Sequence, residues 1–162
     1  MRDLRARGFT LIELLVVVAI ILIIAAIAIP NLVRSRIAAN QASAVESLRM
    51  INVSEASYAT TYGVGYSATL QQLGPPAPGA PVTASAAGLL DSVVASGSKS
   101  GYGFVYSPAY LDAQGHFNGY TATGNPLQPG ITGITYYFTD QTSVIRANTS
   151  GTASASDSAV AN

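Results

Sequence analysis

The amino-acid sequence predicts an α+β fold: one long N-terminal α-helix, membrane-spanning in its first half and amphipathic in its second, packed on a small antiparallel sheet of about four strands. Three observations predict it. Residues 11–29 are all aliphatic or Ala apart from Glu13. Residues 31–60 hold no Gly or Pro and are rich in Ala, so nothing there stops a helix. Beyond Gly101 the apolar period falls to two, with Tyr102, Phe104 and Tyr106 alternating with Gly103 and Val105.

As a helix, residues 11–29 span about 28 Å, close to the roughly 30 Å of a bilayer hydrocarbon core. Arg2, Arg5 and Arg7 precede the run against a single acid, Asp3. That bias places the N-terminus in the cytoplasm and the remainder outside, although Arg34 and Arg36 on the far side weaken it. Pro30 lacks an N–H and its ring crowds the preceding turn, so an interrupted hydrogen-bond ladder is expected over residues 26–30. Past it, Ile37, Ala44, Leu48 and Ile51 recur at helical spacing, while Arg34, Arg36, Asn40, Gln41, Glu46 and Arg49 occupy the other faces. A helix over residues 9–60 would be about 78 Å long.

Gly63 and Gly65 end the helical pattern, and the Pro- and Gly-rich residues 74–81 read as a loop. One or two helical turns are expected within 89–95. Strands are expected at 102–106, 117–123, 135–139 and 144–147, joined by short connections such as 140–143 that favour hairpins. The Tyr residues on them read as core and cross-strand packing. Residues 150–162 are Ser, Ala and Thr with one Asp157, too little apolar surface to repay ordering, so a flexible tail is expected. The resulting organisation is a leader at 1–8, an anchor helix at 9–30, an amphipathic helix at 31–62, loops at 63–100, a sheet at 101–149 and the tail.

Composition narrows function. Of 162 residues 49% are hydrophobic and 10% charged, where about 25% charged is usual, which points to membrane burial or subunit contacts. Formal net charge is zero, and no basic stripe suggests nucleic-acid binding. There is no Cys, hence no disulfide, thiolate metal site or Cys nucleophile. His116, the sole histidine, stands four residues after Asp112, but no G-x-S-x-G, phosphate loop or paired His accompanies it, so it reads as a turn residue. Gly63 and Gly65 follow a helix rather than a strand, the wrong context for a nucleotide fingerprint. No enzyme activity, cofactor or metal is expected.

The chemistry concentrates in Gly8-Phe9-Thr10-Leu11-Ile12-Glu13-Leu14. Gly8 allows a protease close approach to the backbone at the membrane surface. Glu13 is a carboxylate inside an apolar run, a costly placement that calls for a partner or a function. Two plainer readings compete: a secretory signal peptide cut after Ala26-Ile27-Ala28, and a simple anchor whose Glu13 snorkels to the interface. The run is longer than an ordinary signal peptide's and contains an acid.

These residues resemble the processing motif of the type IV prepilin family, and the resemblance extends from Arg2 to about Arg36. It implies cleavage after Gly8 by a prepilin peptidase, methylation of the new Phe9 amine, and assembly into a filament in which Glu13 meets the Phe9 amine of a neighbour. Pro30 lies where the family commonly has a helix-breaking proline. The implied partners are identical or related pilin subunits, the peptidase, the assembly machinery and inner-membrane lipid. The implied location is the inner membrane, then an extracellular filament or a periplasmic pseudopilus. Many pilins close their C-terminal loop with a disulfide, which this chain cannot do. Some relatives bind calcium in this half, making Asp112 and Asp140 candidate ligands, but solvated turn residues are the better reading of two isolated acids. The expected function is a filament subunit; a pseudopilin or minor pilin, or a tethered binding protein that never polymerises, are the alternatives.

Overall fold

Residues 11–62 form a single α-helix, α1 (Leu11–Tyr62), in the computed structural model of the chain, which describes residues 9–160. The chain divides into two compact units between Arg36 and Ile37. In the first unit every described residue is exposed except the half-buried Ala25, so the run at 11–29, apolar apart from Glu13, is left uncovered. Pro30 lies inside α1. Its missing N–H deprives the Ala26 carbonyl of its helical donor, yet the flanking Ala and Ile residues carry the helix across one lost bond where the sequence predicts an interruption.

The second unit is built on the other half of α1. Ala44, Ser47, Leu48, Ile51, Asn52, Ser54, Glu55 and Tyr58 are buried, a stripe recurring every three or four residues that follows from 3.6 residues per turn. Ile37, expected on this stripe, is only half-buried. After a 3₁₀ turn at Leu70–Leu73 comes the short helix α2 (Ser92–Ala95), whose N-cap Asp91 accepts hydrogen bonds from Val93 N (2.9 Å) and Val94 N (3.0 Å).

Five strands follow: β1 (Ser98–Lys99), β2 (Tyr102–Leu111), β3 (Phe117–Pro126), β4 (Tyr136–Asp140) and β5 (Arg146–Asn148). They form an antiparallel sheet in sequence order, against an expectation of about four strands. β2 and β3 are ten residues each, longer than predicted, because Ser107, Pro108 and the Gly and Asn of β3 obscure the alternation without preventing pairing. The buried face presents Tyr102, Phe104, Tyr120, Ala122 and Tyr137 to Leu48, Ile51 and Leu73, and Val94 of α2 joins the same core.

The C-terminal segment departs from the flexible tail expected at 150–162. It turns back on β5: Ala147 N donates to Ser158 O (3.0 Å) and Val160 N to Ile145 O (2.8 Å). Asp157 pins the return. Its Oδ2 accepts from Ser154 N (2.7 Å) and Ser154 Oγ (2.9 Å), its Oδ1 from Asn148 Nδ2 (2.9 Å), and its carbonyl from the Arg146 guanidinium (2.8 Å). The segment is ordered by backbone pairing and polar bonds, with the buried Ala153 and the packing of Val160 on the core supplying the little apolar burial it has.

Candidate functional site

α1 begins at a reciprocal cap. Thr10 precedes the first helical residue, and its Oγ1 accepts from Glu13 N (3.3 Å). Glu13 Oε2 reaches back to accept from Thr10 N (2.8 Å) and Thr10 Oγ1 (2.6 Å). This is a capping box, which satisfies two otherwise orphaned donors and sets a carboxylate at the positive end of the helix dipole. The carboxylate is thereby turned toward the Phe9 end of the chain. Phe9, Ile12, Glu13, Val16 and Val17 line an open groove along this flank. Gly8 and the three leader arginines lie outside the described residues.

In the second unit, sequence reasoning missed a buried polar seam between α1 and the sheet. Glu55 is fully buried and accepts from Ser67 N (3.0 Å) and from the Ser67 hydroxyl. Ser67 lies 3.3 Å from the Tyr106 hydroxyl, which itself donates to Ser67 O (2.8 Å). One turn back, Asn52 Oδ1 accepts from the Tyr120 hydroxyl (2.9 Å), and Asn52 Nδ2 donates to Thr139 Oγ1 (2.9 Å). The Tyr106 and Tyr120 rings stack with centroids 5.7 Å apart. Burial, then the Glu55 charge, pushes both phenols upward, so they remain protonated donors. Burial likewise pushes Tyr102 up to about 12, and its hydroxyl donates to Thr135 O (2.8 Å). The available signal was spacing: Glu55 stands on the stripe of Leu48, Ile51 and Tyr58, where an acid must be satisfied.

Asp112, Asp140 and His116 organise turns. Asp112 Oδ1 accepts from Gln114 N (2.9 Å) and His116 N (2.8 Å), and Oδ2 stands 3.7 Å from His116 Nδ1. The His116 backbone bond, with help from Asn118, holds the Asp112 carboxyl below the usual carboxylate range. Asp140 Oδ1 accepts from Thr142 N (2.9 Å) and from the Thr142 hydroxyl. Among the described residues no group of three or more His, Cys, Asp or Glu side chains could hold a metal ion.

The prokaryotic N-terminal methylation motif matches residues 3–29. The type IV major pilin protein PilA of Myxococcus xanthus is 48% identical over 54 residues, covering 33% of this chain and 24% of that protein. The type IV wide pilus major component PilA4 of Thermus thermophilus is 66% identical over 35 residues, covering 22% of this chain and 27% of that protein. The chain thus spans about a quarter of the length of the curated relatives it matches. No solved structure matches the chain.

Proposed function

We propose that this chain, type IV prepilin-like through its N-terminal motif and pilin-like in its α+β architecture, is a structural subunit of a type IV pilus-like filament. One observation supports the reading above all: a matched methylation motif over residues 3–29 contains the capped start and the apolar, uncovered first half of α1. Such a surface needs lipid before assembly and other subunits after it. A prepilin peptidase cuts after Gly8, the Phe9 amine is methylated, and the subunit waits as a single-pass inner-membrane protein. Assembly machinery then draws it into an extracellular filament, with residues 9–30 as core helix and the sheet outside. Removing Arg2, Asp3, Arg5 and Arg7 takes the net charge from zero to minus two. The names of both relatives, a major pilin and a major pilus component, favour a pilus over a pseudopilus.

Glu13 selects the axial register. Glu13 stands about one helical turn, roughly 6 Å of rise, from Phe9 of its own chain, and an axially displaced neighbour brings its own Phe9 amine level with the carboxylate. In apolar surroundings that pairing outweighs its value in water and penalises an unpaired carboxylate. At Pro30, the donorless Ala26 carbonyl marks where the ladder opens once helices pack.

N-terminal mass analysis of the purified protein, with electron microscopy of sheared surface material, tests the reading. The expected result is a chain starting at methylated Phe9 and present in filaments. A start at Ile29 would establish the signal-peptide reading, and a chain that never enters a fibre would leave the tethered binding protein.

A further inference from the structure

Beyond residue 8 the chain has five cationic side chains, and three of them have protein partners. Arg49 lies 3.6 Å from Glu46, Lys99 lies 3.5 Å from Asp91, and the Arg146 guanidinium donates to Asp157 O (2.8 Å). The other two are Arg34 and Arg36, both exposed on α1, and neither has a hydrogen bond or ion pair among the described residues. Their place in the sequence is also unfavourable for topology. Cations past the outer end of the apolar run oppose the orientation that Arg2, Arg5 and Arg7 set. A counter-charge at their level offsets that conflict.

With residues 11–29 filling the hydrocarbon core, helical rise fixes the level. The Cα atoms of Arg34 and Arg36 stand roughly 7–11 Å past Ile29, whereas the headgroup layer adds about 5–8 Å to each side of the core. Helical side chains lean toward the N-terminus, so both arginines reach back into that layer, their apolar stems along the helix. At 3.6 residues per turn the two lie about 200° apart and leave the helix on opposite sides.

Little else at this level can hold the helix in place. Residues 10–57 contain no Phe, Tyr or Trp, so no aromatic belt marks the outer interface. Ser35, between the arginines, turns its hydroxyl back onto Asn31 O (3.0 Å). Depth and tilt of a single span follow from its interfacial anchors, which on this side reduce to the two arginines. A guanidinium presents a planar fork of donors that matches two phosphate oxygens, and a glycerophospholipid offers that phosphodiester at this depth.

We propose that Arg34 and Arg36 form a two-sided clamp on the phosphate groups of outer-leaflet lipids, which fixes the depth and limits the tilt of the helix before assembly. The clamp rests on the membrane-anchored reading above and names the lipid chemistry that the waiting subunit grips.

The full chain carrying Arg2→Lys, Arg5→Lys and Arg7→Lys keeps its charge and leaves Arg34, Arg36, Arg49 and Arg146 as the sites for ¹⁵N-arginine. In vesicles of phosphatidylglycerol and phosphatidylethanolamine, rotational-echo dephasing of guanidinium nitrogens by ³¹P is expected for two of these four residues. Adding Arg34→Lys/Arg36→Lys is expected to abolish the dephasing while the chain still resists carbonate extraction. No dephasing in the inserted chain, or dephasing that survives the double substitution, overturns the clamp and leaves the anchor reading intact. Extraction of the unsubstituted chain by carbonate overturns both. Inorganic phosphate added to the chain in an uncharged detergent is expected to leave the guanidinium resonances in place; a shift there with no dephasing in vesicles assigns free phosphate and overturns the proposal. The chain has no native Cys, so a fluorophore on Leu32→Cys reads depth through lipid-borne quenchers. Its depth is expected to shift in Arg34→Gln/Arg36→Gln, and an unmoved fluorophore overturns the depth-setting role.

Discussion

The two halves of α1 share one secondary structure and almost nothing else. Residues 11–29 are apolar all round and uncovered, whereas residues 44–58 show a single buried stripe and seat polar groups such as Asn52 and Glu55 within it. The first half lies exposed, while the second is packed against the sheet. Helix formation therefore says little about where the energy of a helix lies. The same backbone carries an exposed apolar surface in one half and a core element in the other.

The largest separation of the halves is expected from Glu13→Gln. Gln at the third helical position keeps the capping box with Thr10 but removes the charge. If Glu13 only caps, the variant is silent; if it pairs with a neighbour's amine, filaments counted by electron microscopy are lost while cleavage, membrane insertion and head folding persist. Thr10→Val makes the converse change, weakening the cap by about 0.5–2 kcal/mol with the charge kept, and should leave filament number nearly unchanged.

Leu48→Ala against Leu22→Ala tests the contrast in stability. Leu48 is completely buried, so its truncation should cost about 2–5 kcal/mol and lower the thermal midpoint of the detergent-solubilised chain. Leu22 is exposed, and its truncation should leave that midpoint unmoved. Equal shifts would mean that the anchor contributes to head stability.

Glu55→Ala should cost about 1–3 kcal/mol by orphaning the Ser67 N–H and hydroxyl, whereas Glu55→Gln, which keeps one acceptor, should cost less. Denaturant unfolding of the two variants measures the difference.

The smallest effect concerns the C-terminal return. Bonds from Ser154 hold the Asp157 carboxyl below its ordinary range, so its folded pKa lies below its unfolded one. Its contribution is present above the unfolded value, about 3.9, and fades as pH falls through the folded value. The protection factors against hydrogen exchange at Ala147 and Val160, corrected for the slower intrinsic exchange in acid, should therefore fall in that window, and Asp157→Asn should remove most of this dependence on pH.

Much of this was readable in the sequence because it rests on apolar pattern. The run at 11–29, the stripe of Ala44, Leu48 and Ile51, the alternation of Tyr102, Phe104 and Tyr106, and the helical turn near Val94 all bury or expose carbon at a fixed period. What escaped rests on hydrogen bonds. β1 is too short to have a period, and the far halves of β2 and β3 pair through backbone groups beneath polar or small side chains. The Thr10–Glu13 cap was written plainly as a T-x-x-E pattern but hidden by attention to the charge of Glu13. The seam at Glu55 and the return at Asp157 depend on residues distant in sequence, Ser67 with Tyr106 and Asn148 with Arg146, which no local window contains.

The return of residues 154–160 onto β5 has a mechanical meaning. Peeling it from β5 breaks hydrogen bonds and the packing of Val160 on the core but no covalent bond, and hairpin-like pairing re-forms in about 1–10 μs. A load on the head can therefore detach the return and let it re-form when the load passes, with no covalent repair. The chain has no Cys, so the head is held without a disulfide.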